Sequence, residues 1–240
     1  MKRALIGSDL MIHQSREQAF NLDTILLQHF VRVPYNANKI IDFGTGTGVL
    51  MLYLSKKTKA QLIGVEVQKN RYEQAIKNIE ANQLQDQISC LHQDIKDLTI
   101  QQFKDIDLIV SNPPFFKMND KQKVNDDLER TIARHEVLIN LEQLIKKASE
   151  LIKYKGSFQF IHRPDRFLEI TSLLHAYQFE IKRIQFVHPY KNQEANHVLI
   201  EASKHGKTGC KILPPLILYK EKHQMTEELI SIYGGDKYVT

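Results

Sequence analysis

The segment Ser111-Asn112-Pro113-Pro114-Phe115 carries the most specific chemistry in the chain. Two consecutive prolines fix φ and remove two N–H donors, so the turn offers carbonyls to an outside donor. The side-chain oxygen of Asn112 and the carbonyl of Pro113 can accept the two protons of one planar NH2 group. Phe115 supplies a ring on which the attached planar system can stack. Such an amine is a poor nucleophile because its lone pair is delocalised. As it gains positive character in a group transfer, two fixed acceptors stabilise the transition state more than the ground state.

Three further groups stand at comparable places. Asp42-Phe43-Gly44-Thr45-Gly46-Thr47-Gly48 is a glycine loop in which Gly44, Gly46 and Gly48 lack the Cβ atoms that would hold a ligand off the backbone. Its spacing is GxGxG, not the GxGxxG of dinucleotide-binding turns, and it lacks the Lys-Ser/Thr of a P-loop. A tight ligand-free turn has the same look. Glu66 follows Gly44 by 22 positions and can accept from both hydroxyls of a ribose, or be a plain strand-end acid. Asp94 can accept from an adenine amine or cap a helix.

The elements around these groups alternate. Lys39 to Phe43, Gln61 to Val67, Ile88 to His92 and Ile106 to Ser111 read as strands. Thr47 to Lys56 reads as a helix, and Tyr72, Ala75, Ile76 and Ile79 mark one face of another. Leu138, Leu141, Leu144, Ile145, Ala148 and Ile152 form a long amphipathic helix before a strand at Phe158 to Ile161. Pro164 opens a helix carrying Phe167, Ile170, Leu174 and Tyr177, and Ile181 to Val187 with His197 to Ala202 read as a hairpin. The pattern predicts an α/β protein with a mostly parallel sheet covered on both faces, and ligands beyond the carboxyl ends of its strands. The candidate groups all fall there.

The 240 residues, 42% apolar and 25% charged with 10 Gly and 7 Pro, exclude collagen-like and disordered chains and fit one domain over residues 1–240. No run of eighteen apolar residues occurs and Asp9 interrupts the first apolar stretch, so neither a membrane span nor a secretory signal is expected. Two cysteines, Cys90 and Cys210, are too few for a disulfide framework or a Cys-rich zinc site and suit a reducing cytoplasm. None of the 10 histidines forms a metal-binding pattern, and no metal is expected. The net charge is +5, concentrated between Ile145 and His223, where 14 Lys and Arg meet 7 Asp and Glu. That asymmetry suits a polyanion such as nucleic acid, or simply a solvated basic face.

The glycine loop, Glu66 and the Asn112-Pro113-Pro114-Phe115 tetrad together resemble class I S-adenosylmethionine-dependent methyltransferases, in the NPP(Y/F) branch that methylates nitrogen conjugated to a ring or carbonyl. Phe20-Asn21-Leu22-Asp23-Thr24-Ile25-Leu26-Leu27, Arg130-Thr131-Ile132-Ala133-Arg134-His135-Glu136 and Leu213-Pro214-Pro215-Leu216 are similar to segments of the bacterial tRNA adenine-N6 methyltransferases that modify valine tRNA beside the anticodon. The resemblance implies a Rossmann-like fold with a seven-stranded, mostly parallel sheet, an antiparallel terminal strand and a helical N-terminal extension at about residues 15–32. It also implies S-adenosylmethionine as cofactor, held by Asp42, Gly44, Gly46, Gly48, Glu66, Asp94 and Asn112. Asn112, Pro113, Pro114 and Phe115 would be catalytic, tRNA the partner, and Lys117, Arg130, Arg134 and His135 on the substrate side, with no membrane or obligate protein partner. Lys146, Lys147, Lys153, Lys155, Arg163, Arg166, Lys182, Arg183 and Lys191 are candidates for phosphate contacts. The same tetrad also suits guanine N2 of ribosomal RNA or a glutamine side-chain amide of a release factor. A dehydrogenase fits the glycine spacing poorly, and a non-enzymatic RNA-binding module would not need the complete tetrad.

Overall fold

The computed structural model describes residues 2–13, 22–103, 105–113, 139–222 and 224–234. An antiparallel pair, β1 (Lys2–Ala4) and β2 (Met11–His13), precedes helix α1 (Leu22–Phe30). Then follow β3 (Lys39–Phe43), α2 (Val49–Ser55), β4 (Gln61–Glu66), α3 (Lys69–Ala81), β5 (Ile88–His92) and β6 (Ile106–Ser111). After these come α4 (Leu141–Leu151), β7 (Ile152–His162), α5 (Phe167–Ala176), β8 (Phe179–Tyr190) and β9 (His197–Lys204). The chain continues through β10 (Lys211–Ile212), β11 (Leu216–Glu221), β12 (Gln224–Met225) and α6 (Glu227–Ile232).

Strand order in the main sheet is β12-β11-β8-β9-β7-β6-β3-β4-β5, with β10 also beside β8. β3 pairs in parallel with both β4 and β6, placing Asp42 opposite Gly64 and Val110, and Phe43 opposite Val65 and Ser111. The chain runs from β3 outward through β4 and β5, then returns to the other side of β3 as β6. The direction of winding therefore reverses between β3 and β6, where a crevice opens at the strands' carboxyl ends.

Alternate strand residues serve opposite faces. Ile40, Leu108, Val110, Ile161 and Leu199 join a core with α1, α2, α3 and α6, whereas Ile41, Phe43, Ile109, Phe158, Phe160 and Ile200 join one with α4 and α5. This side-to-side alternation is the period-two signature of strands buried on both faces. α4 begins where Asn140 and Gln143 form a reciprocal capping box, and its Leu141, Leu144, Ile145, Ala148 and Leu151 turn one stripe inward.

Several expectations need adjusting. The seven expected strands are present, but the sheet continues through β11 and β12, and β10 adds to β8. β9 runs antiparallel between β7 and β8, and β12 is the antiparallel strand at the edge of the sheet. In the N-terminal extension the described helix is α1 alone, preceded by a strand pair; residues 14–21 lie outside the described part. Ile152 starts β7 directly, since α4 ends at Leu151.

Candidate active site

The glycine loop leaves β3 at Phe43. Gly44 and Thr45 donate their N–H groups to Val65 O at 2.9 and 3.0 Å, which bends the loop over the end of β4. Gly44, Gly46 and Gly48 all have positive φ. Gly48 is the N-cap of α2, and a Cβ there would lie 3.3 Å from Ala75 Cβ; a Cβ on Gly44 would meet no atom of the described residues within 4 Å. The loop is packed on one side and open on the other, as a backbone cradle for a ligand must be.

Both acids of the loop region are buried. Glu66, 5% exposed, accepts the Gly46 N–H at 2.9 Å on one oxygen and the Gln68 N–H at 2.8 Å on the other. Each oxygen has a second acceptor direction, which suits ribose hydroxyls. Asp42 accepts from the Thr45 hydroxyl at 2.7 Å. Burial pushes its carboxyl up to about 7, against the Thr45 hydrogen bond and with the Glu66 charge adding to the rise. Asp94 caps the short 3-10 turn Ile95–Asp97 through the Lys96 N–H and pairs with Lys96 Nζ at 3.1 Å. The open Gly44 side, the bidentate Glu66 and Asp94 stand at the ends of neighbouring strands β3, β4 and β5, so these residues fit an adenosine-type cofactor.

Across the crevice, Ser111 Oγ donates to Phe43 O at 2.9 Å and locks the end of β6 to the end of β3. Asn112 follows immediately, and its amide nitrogen donates to Thr24 Oγ1 at 3.2 Å in the first turn of α1. With the nitrogen directed at α1, the amide oxygen is turned away from that helix. Pro113 is buried. Pro114, Phe115, Lys117, Arg130, Arg134 and His135 lie outside the described residues.

The family-like segment Phe20 to Leu27 marks α1, but no residue spacing in it assigns Thr24 or Asp23 a part in this arrangement. Asp23, beside Thr24, places Oδ1 3.1 Å from Nε2 of His197 at the start of β9. One helical turn thus touches the ends of β6 and β9. His162, 2% exposed at the end of β7, accepts the Arg163 N–H at 2.8 Å, and burial pushes its imidazole down to about 4. It is a neutral ring at physiological pH.

Several basic candidates have other work. Arg183 is 5% exposed, pairs with Glu201 at 2.7 Å, donates to Phe30 O and lies over the Phe30 ring. Lys153 pairs with Asp107, Lys147 with Glu150 and Arg166 with Glu169, while Lys182 donates to two carbonyls of the 207–209 turn. Arg163, exposed after β7, and Lys191, exposed after β8, stand at the carboxyl-end rim. Among the described residues no group of three or more His, Cys, Asp or Glu could hold a metal, and no helix is long and apolar enough to cross a membrane.

Residues 21–185, which contain the crevice and both of its walls, match the family model for the methyltransferase small domain. The chain belongs to this methyltransferase family. The methyltransferase is 31% identical over 86% of its length to a protein of Christiangramia forsetii named tRNA1(Val) (adenine(37)-N6)-methyltransferase, covering 85% of that relative. It is 28% identical to the Flavobacterium johnsoniae protein of the same name, covering 88% of both chains. Among solved structures, a predicted O-methyltransferase from Agrobacterium tumefaciens superposes with a TM-score of 0.69 at 20% identity, over 89% of this chain and 97% of that one. That likeness establishes the class I methyltransferase fold of the sheet described above.

Proposed function

We propose that this methyltransferase transfers a methyl group from S-adenosylmethionine to the exocyclic N6 of adenine 37 in tRNA1(Val), beside the anticodon. The observation that carries the reading is the placement of Asn112 and Pro113 across the winding-reversal crevice from the glycine loop, with the Asn112 amide oriented by Thr24. The names of the relatives support the choice of RNA and base.

When bound, S-adenosylmethionine supplies an electrophilic methyl group on a sulfonium. Glu66 would accept from the ribose hydroxyls, Gly44 and Gly46 would let the backbone approach, and Asp94 would receive the adenine amine of the cofactor. Asn112 Oδ1 and the Pro113 carbonyl accept the two N6 protons of the target base, and Phe115 stacks on its ring. As methyl transfer proceeds the nitrogen becomes cationic, so both acceptors strengthen in the transition state. Holding the base fixes the nitrogen in line for attack, which replaces a bimolecular encounter with a positioned one. No strong base is needed, because the methylated, protonated amine loses its proton readily to water. The anticodon-loop base must leave its stack to enter, at a cost of a few kcal/mol that stacking in the site partly offsets. Lys117, Arg130, Arg134 and His135 are assigned to the substrate side on the resemblance.

The test is product analysis. Unmodified valine tRNA incubated with enzyme and methyl-labelled cofactor is expected to yield N6-methyladenosine at position 37. Label in guanosine of ribosomal RNA, or in a protein glutamine, overturns the reading.

A further inference from the structure

Beside the catalytic crevice, the carboxyl-end rim holds a second concavity. It is a cavity of about 870 Å³ lined by residues that include Arg163, Asp165, Phe186, Glu194, Asn196 and His197. Its volume is in the range of small-molecule sites, roughly 300–1,000 Å³, though it is broadly open to solvent.

Its walls combine three chemistries. Phe186 is half-buried and held by Phe167, edge to face at 5.5 Å, so its ring is a fixed apolar surface. Arg163 is exposed at the rim, its Nε 3.5 Å from Asp165 Oδ1. Asn196 and Glu194, both exposed on the turn between β8 and β9, offer an amide and a carboxylate. A fixed aromatic face, a guanidinium and edge-reading polar groups are what a splayed single-stranded nucleotide uses: stacking, a phosphate contact and hydrogen bonds to the base edge. The exposed Glu194 carboxylate favours a base with an amino group on its edge.

The position is as informative as the lining. Ser111 is in register with Phe160, so the Asn112-Pro113 turn and Arg163 leave the carboxyl ends of the adjacent strands β6 and β7. The two places also share a wall. Thr24 takes the Asn112 amide at 3.2 Å, and its neighbour Asp23 lies 3.1 Å from His197 of the cavity.

We infer that this cavity is a second nucleotide subsite, which receives the RNA residue adjacent to the methylated adenine while that adenine occupies the Asn112-Pro113 site. The inference rests on the tRNA reading given above. Within it, Phe186 stacks on the neighbouring base, Arg163 contacts the intervening phosphate, and Glu194 with Asn196 meets the base edge.

Valine tRNA assembled with an abasic residue on either side of the target separates the possibilities. With wild-type enzyme, the lesion on one side is expected to raise KM about tenfold at little cost in kcat, the effect of losing one stacked base. With Phe186→Leu, intact tRNA already shows the raised KM and the same lesion adds less than twofold; with the exposed Arg163→Gln, whose phosphate partner an abasic residue retains, KM for intact tRNA also rises and the lesion penalty adds to it in full. A substitution of Phe186 that only loosened the fold would leave the tenfold lesion penalty in place. Wild-type enzyme indifferent to lesions on both sides, the same lesion penalty in wild type and Phe186→Leu, or a wild-type KM for intact tRNA in Arg163→Gln, overturns the subsite. Failure of wild-type enzyme to methylate intact tRNA overturns the functional reading itself.

Discussion

The Asn112 amide nitrogen donates to Thr24 Oγ1 across 3.2 Å, and this contact joins the end of β6 to the first turn of α1. It sets which way the Asn112 amide faces, and therefore where its oxygen accepts. Thr24→Val keeps the side chain's shape and removes the hydroxyl. Loss of one such hydrogen bond is worth about 0.5–1.5 kcal/mol, so kcat is expected to fall up to about tenfold while calorimetric cofactor affinity stays within about twofold. Thr24→Ser should restore kcat. A Val variant with wild-type kcat contradicts an orienting role for Thr24.

The buried Asp42 carboxyl gives stability a definite pH dependence. It is pushed up to about 7 in the fold, whereas in the unfolded chain it titrates near its ordinary 3.8. Between these values the folded protein keeps a proton that the unfolded chain has lost. Asp42's contribution is therefore intact below the unfolded value and is lost as pH rises toward 7. Asp42→Asn removes this titration. In cofactor-free protein, the variant's Tm is expected to exceed wild type by several degrees at pH 8, with the gap narrowing toward pH 5. A gap independent of pH would refute the buried, protonated carboxyl.

Two glycines of one loop should fail differently when substituted. Gly48→Ala places a side chain at φ 81° and 3.3 Å from Ala75 Cβ, so urea unfolding should show a loss of about 1–3 kcal/mol. Gly44→Ala also has positive φ, but its methyl points into open space. Its distinguishing effect is on the ligand side, with cofactor affinity down at least about tenfold, as expected where backbone must approach a ligand closely. Undiminished cofactor affinity in Gly44→Ala contradicts the cradle.

Asn78 couples the N-terminal strand pair to the glycine loop. Completely buried, it donates to Thr47 O at 2.9 Å and accepts the His13 N–H at 2.6 Å, while Asn82 both donates to and accepts from the Met11 backbone. Asn78→Ala breaks two of these bonds and should cost about 1–3 kcal/mol. Hydrogen exchange at the His13 amide is expected to accelerate well beyond that of β3. Unchanged His13 protection shows that the pair is held by its other contacts.

The strand ends that carry Asp42, Glu66 and Asn112 were legible because buried parallel strands are continuous apolar runs, and the polar residue after each run marks its carboxyl end. β1 and β2 were not, since three residues are too few to show a period, and what ties the pair to the domain through β2 is the side chains of Asn78 and Asn82. β10 and β11 flank Pro214-Pro215 and take their place from β8, with Leu216 opposite Val187. Thr24, Asp23 and His197 carry no local signature; their roles arise only when α1 meets β6 and β9, far apart in sequence. The basic surplus after Leu144 was visible, but Arg183 and Lys153 show why a charge count cannot locate a binding face: both are held by acids of the fold itself.

The central claim is that Asn112 acts chiefly on the amine being methylated, beyond any contact with the cofactor that the resemblance implies for it. The most direct measurement is single-turnover methylation of unmodified valine tRNA at saturating methyl-labelled S-adenosylmethionine, comparing wild type with Asn112→Ala and measuring cofactor affinity of both by calorimetry. The account predicts N6-methyladenosine from wild type, a transfer rate reduced by at least about a hundredfold in the variant, as for removal of one oxyanion-hole donor, and cofactor affinity within about threefold. A variant that binds cofactor and transfers the methyl group at the wild-type rate would contradict it.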